Sequence, residues 1–372
     1  MPATQRRITL LIHSLAGGGA ERQIASLSNH LSQRGFRCTL ITLDSAKSDR
    51  YPLDPDVNRV GLDVMKPSRS LFAACSKNRM RIKVLRDAIK RSQPDCAISF
   101  CDKMNILALA ACQTLSVPTI ISERSDPRKQ HLGWIWEAAR RWHYPNSTAV
   151  VAQTEPVAAY LRTIVGSNVS IEVIPTAIDI PSQGLDNRTD SLDRNTIIYI
   201  GRLSKEKGPD RLLQAWSTVA SKHPSWQLRI VGVGPMDSQL KNQCNDLSIA
   251  HRVDWVGWSD NIWSHLRQSR AFVLPSHYEG FPAALVEAMH AGLPVIATDC
   301  SDSIREIIQH EQNGLIASNN RESLANAIDR LLADASLRKS LGASASASTS
   351  KYLWPSTIER WIQLVDRVIK LA

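Results

Sequence analysis

Cysteine is scarce and unpatterned in this chain. Its seven cysteines, Cys38, Cys75, Cys96, Cys101, Cys112, Cys244 and Cys300, are odd in number, irregularly spaced and never form Cys-x-x-Cys. That argues against a disulfide framework or a zinc ribbon and fits thiols kept reduced in a cytosol. Long hydrophobic runs are missing too. The longest, Ile106 to Leu115, is too short for a bilayer and contains Gln113. The run Ile8 to Ile12 is too short for a signal-peptide core, and no small-residue cleavage site precedes Gly17. The expectation is a soluble or peripheral protein, not an integral one. Gly-x-Gly-x-x-Gly is absent, which sets aside the usual dinucleotide fingerprint. No helix-turn-helix, zinc-ligand or RNA-binding motif is present, which sets aside nucleic acid as a partner.

What is present is a globular composition, 43% hydrophobic and 22% charged, over 372 residues. That is room for two ordinary domains and excludes a disordered chain. The formal charge is +10, and it is uneven. Residues 1–180 carry 24 Lys+Arg against 15 Asp+Glu, and residues 181–372 carry 21 against 20. An excess confined to the first half suggests a polyanionic or anionic-membrane partner there, and two halves with different jobs.

Strand and helix patterns alternate along both halves. Ile8–Leu15, Cys38–Leu43, Cys96–Phe100, Val117–Ser122 and Thr148–Thr154 read as strands, with helices over 20–34, 78–92 and 132–143. In the second half, 196–200, 227–231, 253–256, 271–274 and 295–298 read as strands, and 209–222, 237–247 and 282–291 as helices. The fold class is α/β, two doubly wound units with largely parallel sheets. The predicted division is residues 1–178, a Pro-, Gly- and Asn-bearing linker 179–195, residues 196–350, and a helix over 351–372. The low-complexity stretch 342–350 reads as a frayed helix end or a hinge. Ser356 and Glu359 read as a capping box, with Trp361, Leu364, Val365 and Val368 on one face. That helix must dock, and the sequence leaves open on which domain.

Three segments could carry chemistry. Gly17-Gly-Gly-Ala-Glu-Arg22 lets backbone approach a ligand where a helix starts. A tight turn without a ligand fits it equally. Gly201-Arg-Leu-Ser-Lys-Glu-Lys-Gly208 sets Arg202 and Lys207 at a strand end, where two cations suit a diphosphate. A solvated basic loop is the alternative. The third and strongest, 275–297, holds Glu279 in a loop before a helix and Glu287 inside it. Carboxylates there suit sugar hydroxyls and a ribose diol, and helix-start amides suit phosphate. Glu287 lies in an apolar run, so it needs a partner or a ligand.

Together these segments resemble the retaining glycosyltransferases of family 4, which have the GT-B architecture of two facing Rossmann-like domains. The matches are Gly-Gly-Ala-Glu-Arg (18–22), Gly-Arg-Leu-x3-Lys-Gly (201–208), Val-Gly-x-Gly-Pro (231–235), Val-x3-Gly (253–257) and Glu-Gly-Phe-Pro-x4-Glu-Ala-Met-x2-Gly-x-Pro-Val-Ile-Ala (279–297). The resemblance implies that Arg202 and Lys207 neutralise the diphosphate leaving group, Glu279 contacts the donor sugar and Glu287 binds the ribose. It also implies that Gly280, Phe281, Pro282 and Ala283 touch phosphate or sugar, and that Gly232 and Val256, with their neighbours Val231–Gly234 and Trp255–Trp258, flank the base. Gly18 and Gly19 would close over the phosphate from the other domain. The family needs neither metal nor cofactor, so Asp54-Pro-Asp56 reads as a turn rather than a metal site.

One departure concerns Ser122-Glu-Arg-Ser-Asp-Pro127. Many relatives place a histidine near the donor anomeric carbon here, and this chain has Arg124. A similar run occurs in transferases for polysaccharides and lipid-linked oligosaccharides. Glu123, Asp126 and Arg128 are therefore read as acceptor-binding and Arg124 as an active-site residue. A permanently charged arginine is a poor base, so Arg124 would orient the acceptor or stabilise the departing phosphate. No general base is assigned, and His13 and His277 read as structural. The helix bearing Lys77, Arg79, Arg81, Lys83, Arg86, Lys90 and Arg91, with Trp134, Trp136 and Trp142 beyond it, suits an anionic membrane surface. The expected activity moves a hexosyl or N-acetylhexosaminyl unit (GalNAc or GlcNAc) from a UDP-sugar to a lipid-linked glycan, on the cytoplasmic inner face of the membrane. The alternatives are a GT-B nucleotide-sugar epimerase and a non-catalytic protein that binds polyanions or membranes.

Overall fold

The apolar segments assemble into two all-parallel sheets. The computed structural model describes residues 5–65, 71–130, 132–180 and 195–371. The chain divides into two compact units, Met1–Ala177 with Trp354–Ala372, and Ile178–Leu353. The greater part of the expected linker lies outside the described residues.

The first unit runs β1 (Arg7–Ile12), α1 (Gly19–Gln33), β2 (Arg37–Thr42), β3 (Asn58–Gly61), α2 (Leu71–Ser92), β4 (Cys96–Phe100), α3 (Asp102–Cys112), β5 (Thr119–Ser122), α4 (Trp134–His143), β6 (Ala149–Ala152), α5 (Glu155–Val165) and β7 (Ser170–Val173). Its sheet has the order β3-β2-β1-β4-β5-β6-β7. Ile8 pairs with Cys38 on one side and Cys96 on the other, so the order reverses between β1 and β4. Every residue of β4 is buried, as a strand covered by helices on both faces requires.

The second unit repeats the plan with β8 (Asn195–Ile200), α6 (Pro209–Val219), β9 (Trp226–Val231), α7 (Asp237–Asp246), β10 (Val253–Gly257), α8 (Ile262–Arg267), β11 (Ala271–Leu274), α9 (Ala283–His290), β12 (Val295–Thr298), α10 (Asp302–Ile307), β13 (Leu315–Ala317), α11 (Arg321–Ala333) and α12 (Ala335–Ala347). The order is β10-β9-β8-β11-β12-β13, with its reversal between β8 and β11. Ligands of such sheets bind outside the carboxyl ends of the strands at these reversals.

Three features depart from the sequence reading. The strands it misses, β3, β7 and β13, are all sheet edges. The stretch 342–350 is neither frayed nor a hinge, because α12 continues to Ala347 with Leu341, Gly342 and Ala345 buried. A Cβ on Gly342 would stand 2.5 Å from the Gly292 carbonyl oxygen, so small residues here serve close packing. The last helix, α13 (Trp354–Lys370), begins two residues before Ser356, which places that serine in the first turn and not at the cap. Helix α13 docks on the first unit. Its face buries Ile358, Trp361, Leu364, Val365 and Val368, with Trp361 stacked 5.9 Å from Phe100 and Glu359 paired with Arg34.

Candidate active site

Glycine geometry shapes the carboxyl end of the second sheet. Gly208 has a φ of +63°, and a Cβ there would stand 2.2 Å from the Pro275 carbonyl oxygen. The β8–α6 loop therefore lies hard against the β11–α9 loop and delivers Lys207 to Glu279. Lys207 Nζ is 2.8 Å from both carboxylate oxygens. Ser276 Oγ donates to Glu279 Oε1 at 2.6 Å. Glu279 is only 4% exposed, so this charge is stable because it is paired and hydrogen-bonded.

The turn beneath Glu279 is braced from α6 and β12. Buried Arg211 donates to the Pro275 and Ser276 carbonyls, the latter at 2.9 Å, and to the Asn319 side chain. Thr298 Oγ1 donates to the Ser276 carbonyl at 2.6 Å. Sequence reasoning missed Arg211. Its signal was an arginine on the buried face of an amphipathic helix, beside Leu212.

Gly232, at φ +142°, would place a Cβ 1.9 Å from the Gly201 carbonyl oxygen, so the loops after β8 and β9 stack. Arg202 is exposed, and its carbonyl accepts from the Tyr199 hydroxyl at 2.8 Å. The Glu206 carboxyl is pulled below its usual range. Burial opposes this, but the Ser204 hydroxyl, its own amide and the Arg202 and Lys207 cations prevail. The His277 amide donates to the Glu206 carbonyl at 2.8 Å, which ties the two loops together again. Val256 packs against the core around α9, while Trp258 is exposed and donates to Asp260 at 2.8 Å.

Helix α9 carries Glu287, 2% exposed, seven residues after Gly280 and just over one turn into the helix. The Phe281 ring packs edge-on to Tyr352 at 5.6 Å, so what Phe281 offers a ligand is backbone. Two of the expected amide donors fall away. Pro282 has no N–H, and the Ala283 amide is spent on the Phe281 carbonyl at 3.0 Å.

In the first unit the glycine loop is already occupied. Glu21 accepts from the Gly17 and Gly18 amides at 2.6 Å each and from Ser14 Oγ at 2.5 Å. A carboxylate thus sits where the helix start would hold a phosphate. The Gly18 amide is not available, and Gly19 opens α1.

Glu123 is fully buried. The Tyr144 hydroxyl donates to its Oε1 at 2.5 Å, and Arg140 Nε lies 3.7 Å away. Desolvation pushes its carboxyl up to about 7 against the pull of Arg140 and Tyr144. Glu123 therefore supports the loop from beneath rather than meeting an acceptor. Asp126 grips Arg128 with both oxygens, at 2.9 and 2.7 Å, which makes that pair a loop clamp. Arg124 stands beside them, half-buried and stacked 4.7 Å over the Phe100 ring, with Nη2 donating to Thr176 Oγ1 at 2.8 Å.

The family model Glycosyltransferase Family 4 matches residues 17–181, and Glycosyl transferases group 1 matches residues 186–347. The chain is a GT-B glycosyltransferase. It is 26% identical, over 97% of its length and 99% of the relative's, to a Campylobacter jejuni enzyme named GalNAc-alpha-(1->4)-GalNAc-alpha-(1->3)-diNAcBac-PP-undecaprenol alpha-1,4-N-acetyl-D-galactosaminyltransferase. The fold matches sucrose-phosphate synthase from Thermosynechococcus elongatus with a TM-score of 0.83 at 19% identity, covering 99% of this chain and 100% of that one. It also matches Anabaena HepE, solved with UDP and glucose, with a TM-score of 0.76 at 17% identity, covering 98% of this chain and 100% of that one.

In this glycosyltransferase the motifs 18–22, 201–208 and 279–297 follow β1, β8 and β11, strands that flank the reversals, while 231–235 follows β9 and 253–257 forms β10. Asp54 and Asp56 form a turn, with the Asp56 amide donating to Asp54 Oδ1 at 3.0 Å. Among the described residues no group of three or more His, Cys, Asp or Glu side chains could hold a metal. No described helix is long and apolar enough to cross a membrane.

Proposed function

We propose that this glycosyltransferase moves a hexosyl or N-acetylhexosaminyl unit from a UDP-sugar to a lipid-linked glycan, with retention, in the assembly of a surface polysaccharide or oligosaccharide. The observation that carries the donor half is the pairing of half-buried Lys207 with buried Glu279 and Ser276 at the β8/β11 reversal. A cation and a carboxylate at one point suit a sugar diphosphate, whose phosphate needs the first and whose hydroxyls need the second. Glu287 would take the ribose, and Arg202 the outer phosphate. The resemblance to the retaining family supports retention: the acceptor oxygen would attack from the face that the diphosphate leaves, and the leaving phosphate would take up the hydroxyl proton.

The acceptor half rests on the first unit, where Arg124 stands at the β5 end. The Campylobacter relative's name supports a diphosphate-lipid glycan. Membrane docking is supported by α4, whose Trp134 and Trp142 are 81% and 78% exposed. On α2, Arg79, Lys83 and Arg86 line a shallow depression with Ile82, Asp87 and Ala110. Trp136 instead packs inward, with Lys103 over its ring at 5.7 Å.

The deciding experiment is thermal-shift titration with UDP-, GDP- and ADP-sugars on the wild type and on Glu279→Ala and Lys207→Ala, followed by turnover with a polyprenyl-diphosphate-linked acceptor. Native-state binding raises apparent stability by mass action. Stabilisation by UDP-sugars that the variants lose supports the donor site. An epimerase would alter the free sugar nucleotide without acceptor, and a polyanion-binding protein would respond to none.

A further inference from the structure

His13 follows β1 directly, at the carboxyl end of the strand that borders the β1/β4 reversal. Its Nε2 lies 3.1 Å from Glu21 Oε1. Burial tends to raise the Glu21 carboxyl, but His13, Ser14 and the Gly18 and Gly17 amides together hold it at about 2. A carboxylate ionised that firmly only accepts hydrogen bonds, so Nε2 must carry a hydrogen. In the uncharged ring that tautomer leaves the lone pair on Nδ1. The His13 side chain is 41% exposed, unlike the Glu21 that orients it.

A second observation marks the same place. Cys101, on the β4 side of the reversal, holds φ +75° and ψ 144°. A non-glycine residue there costs on the order of 1–3 kcal/mol, and such strain clusters where a site needs it. His13 follows β1, Cys101 follows β4 and Arg124 lies two residues past β5, so the dyad and the arginine stand at the carboxyl end of one sheet. Glu21 adds a fixed negative charge, which disfavours a phosphate and favours an uncharged polyol.

We propose that the carboxyl end of β1 and β4 is a hydroxyl-binding subsite for the acceptor sugar, with His13 Nδ1 as its hydrogen-bond acceptor. Glu21 fixes the tautomer, so it is a positioning residue, and His13 is the residue that touches substrate. The proposal deepens the transferase reading and rests on it.

Steady-state kinetics test it, with UDP-GalNAc and UDP-GlcNAc as donors and a synthetic polyprenyl-diphosphate-linked disaccharide as acceptor. His13→Phe and His13→Ala should raise the acceptor KM about tenfold or more, since each loses a hydrogen bond to the substrate. Their thermal shift with UDP should equal that of the wild type. His13→Gln, which keeps an acceptor atom, should recover part of the loss, and a merely structural role would not order Gln above Phe in this way. An acceptor KM within twofold of wild type in His13→Phe overturns the proposal, as does a rise matched by loss of the UDP response. A wild type that binds UDP yet transfers from neither donor removes the transferase reading first, and the subsite with it.

Discussion

Lys207 Nζ stands 2.8 Å from both oxygens of Glu279, and the two residues come from loops 72 positions apart. Neither side chain is held there by its own loop alone. The pair exists because Gly208 lets its loop meet Pro275 and because Arg211 and Thr298 hold the turn. Lys207→Ala removes the cation and leaves Glu279 buried with Ser276 as its remaining donor at hydrogen-bond distance in the pair's geometry. Loss of one preorganised group of this kind costs about 100- to 1,000-fold in turnover. We expect a fall in kcat/KM of that size for Lys207→Ala and for Glu279→Ala, read with the native donor. A loss under tenfold in both would exclude this cluster from the diphosphate.

Gly208→Ala should act without touching substrate. Its Cβ would meet the Pro275 carbonyl at 2.2 Å in a backbone conformation that favours glycine. The expected cost is about 2 kcal/mol or more, with the loops forced apart. Thermal unfolding and UDP binding should weaken together. An unchanged melting temperature would mean that the loops are not in this close contact.

The buried strands were readable because a strand covered on both faces is a continuous apolar run, as in Cys96–Phe100. Edge strands β3 and β7 lack that signature because they mix polar and apolar residues, and β13 lacks it because its apolar run, Leu-Ile-Ala, is only three residues long. The motifs of the second unit were legible as glycine, proline and charge at strand ends. What was not legible is pairing. Nothing in the local pattern says that Glu21 takes its own helix's amides, that Glu123 turns inward to Tyr144, or that Asp126 clamps Arg128. The Glu123–Tyr144 bond spans 21 positions and depends on tertiary packing, while the Glu21 and Asp126 bonds are local, two to four positions apart, and compete with the ligand roles that the same residue types suggest.

Glu21 should make the first unit acid-sensitive. Its carboxyl is held at about 2, below the ordinary 4.5. A depressed acid stabilises the fold above its unfolded value and loses that contribution as pH falls from about 4.5 to 2. Glu21→Gln should therefore lower stability at pH 7 by roughly 1–2 kcal/mol, because a neutral amide oxygen accepts more weakly than a carboxylate from the Gly17 and Gly18 amides. The gap to wild type should close on acidification in this window. A gap that stays constant with pH would show that the carboxylate's charge is not what matters.

Glu123 has the opposite sign. Its carboxyl is pushed up to about 7 by burial. The folded state then holds a proton that the unfolded chain releases near 4.5, so this group's contribution to stability falls as pH rises from about 4.5 to 7. Glu123→Gln keeps an oxygen for the Tyr144 hydroxyl and should flatten that fall in denaturant melts. Glu123→Ala leaves the fully buried Arg140 and Tyr144 without it and should cost about 3 kcal/mol or more. Equal behaviour of the two variants would place no titrating proton at Glu123.

Trp134 and Trp142 are the sharpest test of membrane docking, because burial in the fold does not explain them. They are 81% and 78% exposed on a ten-residue helix, so replacing both by alanine should leave the melting temperature unchanged within the usual surface effect of about 0.5 kcal/mol. If they enter the interface, removing their apolar area should weaken vesicle binding about tenfold or more. Charge reversal at Lys83, Arg86 and Lys90 should act separately, at about 1 kcal/mol for each cation near an anionic surface. Cosedimentation with phosphatidylglycerol and with phosphatidylcholine vesicles separates the two contributions, since the cations discriminate between the lipids and the indoles do so far less. Binding to phosphatidylglycerol that survives both sets of changes would move the membrane contact away from α2 and α4.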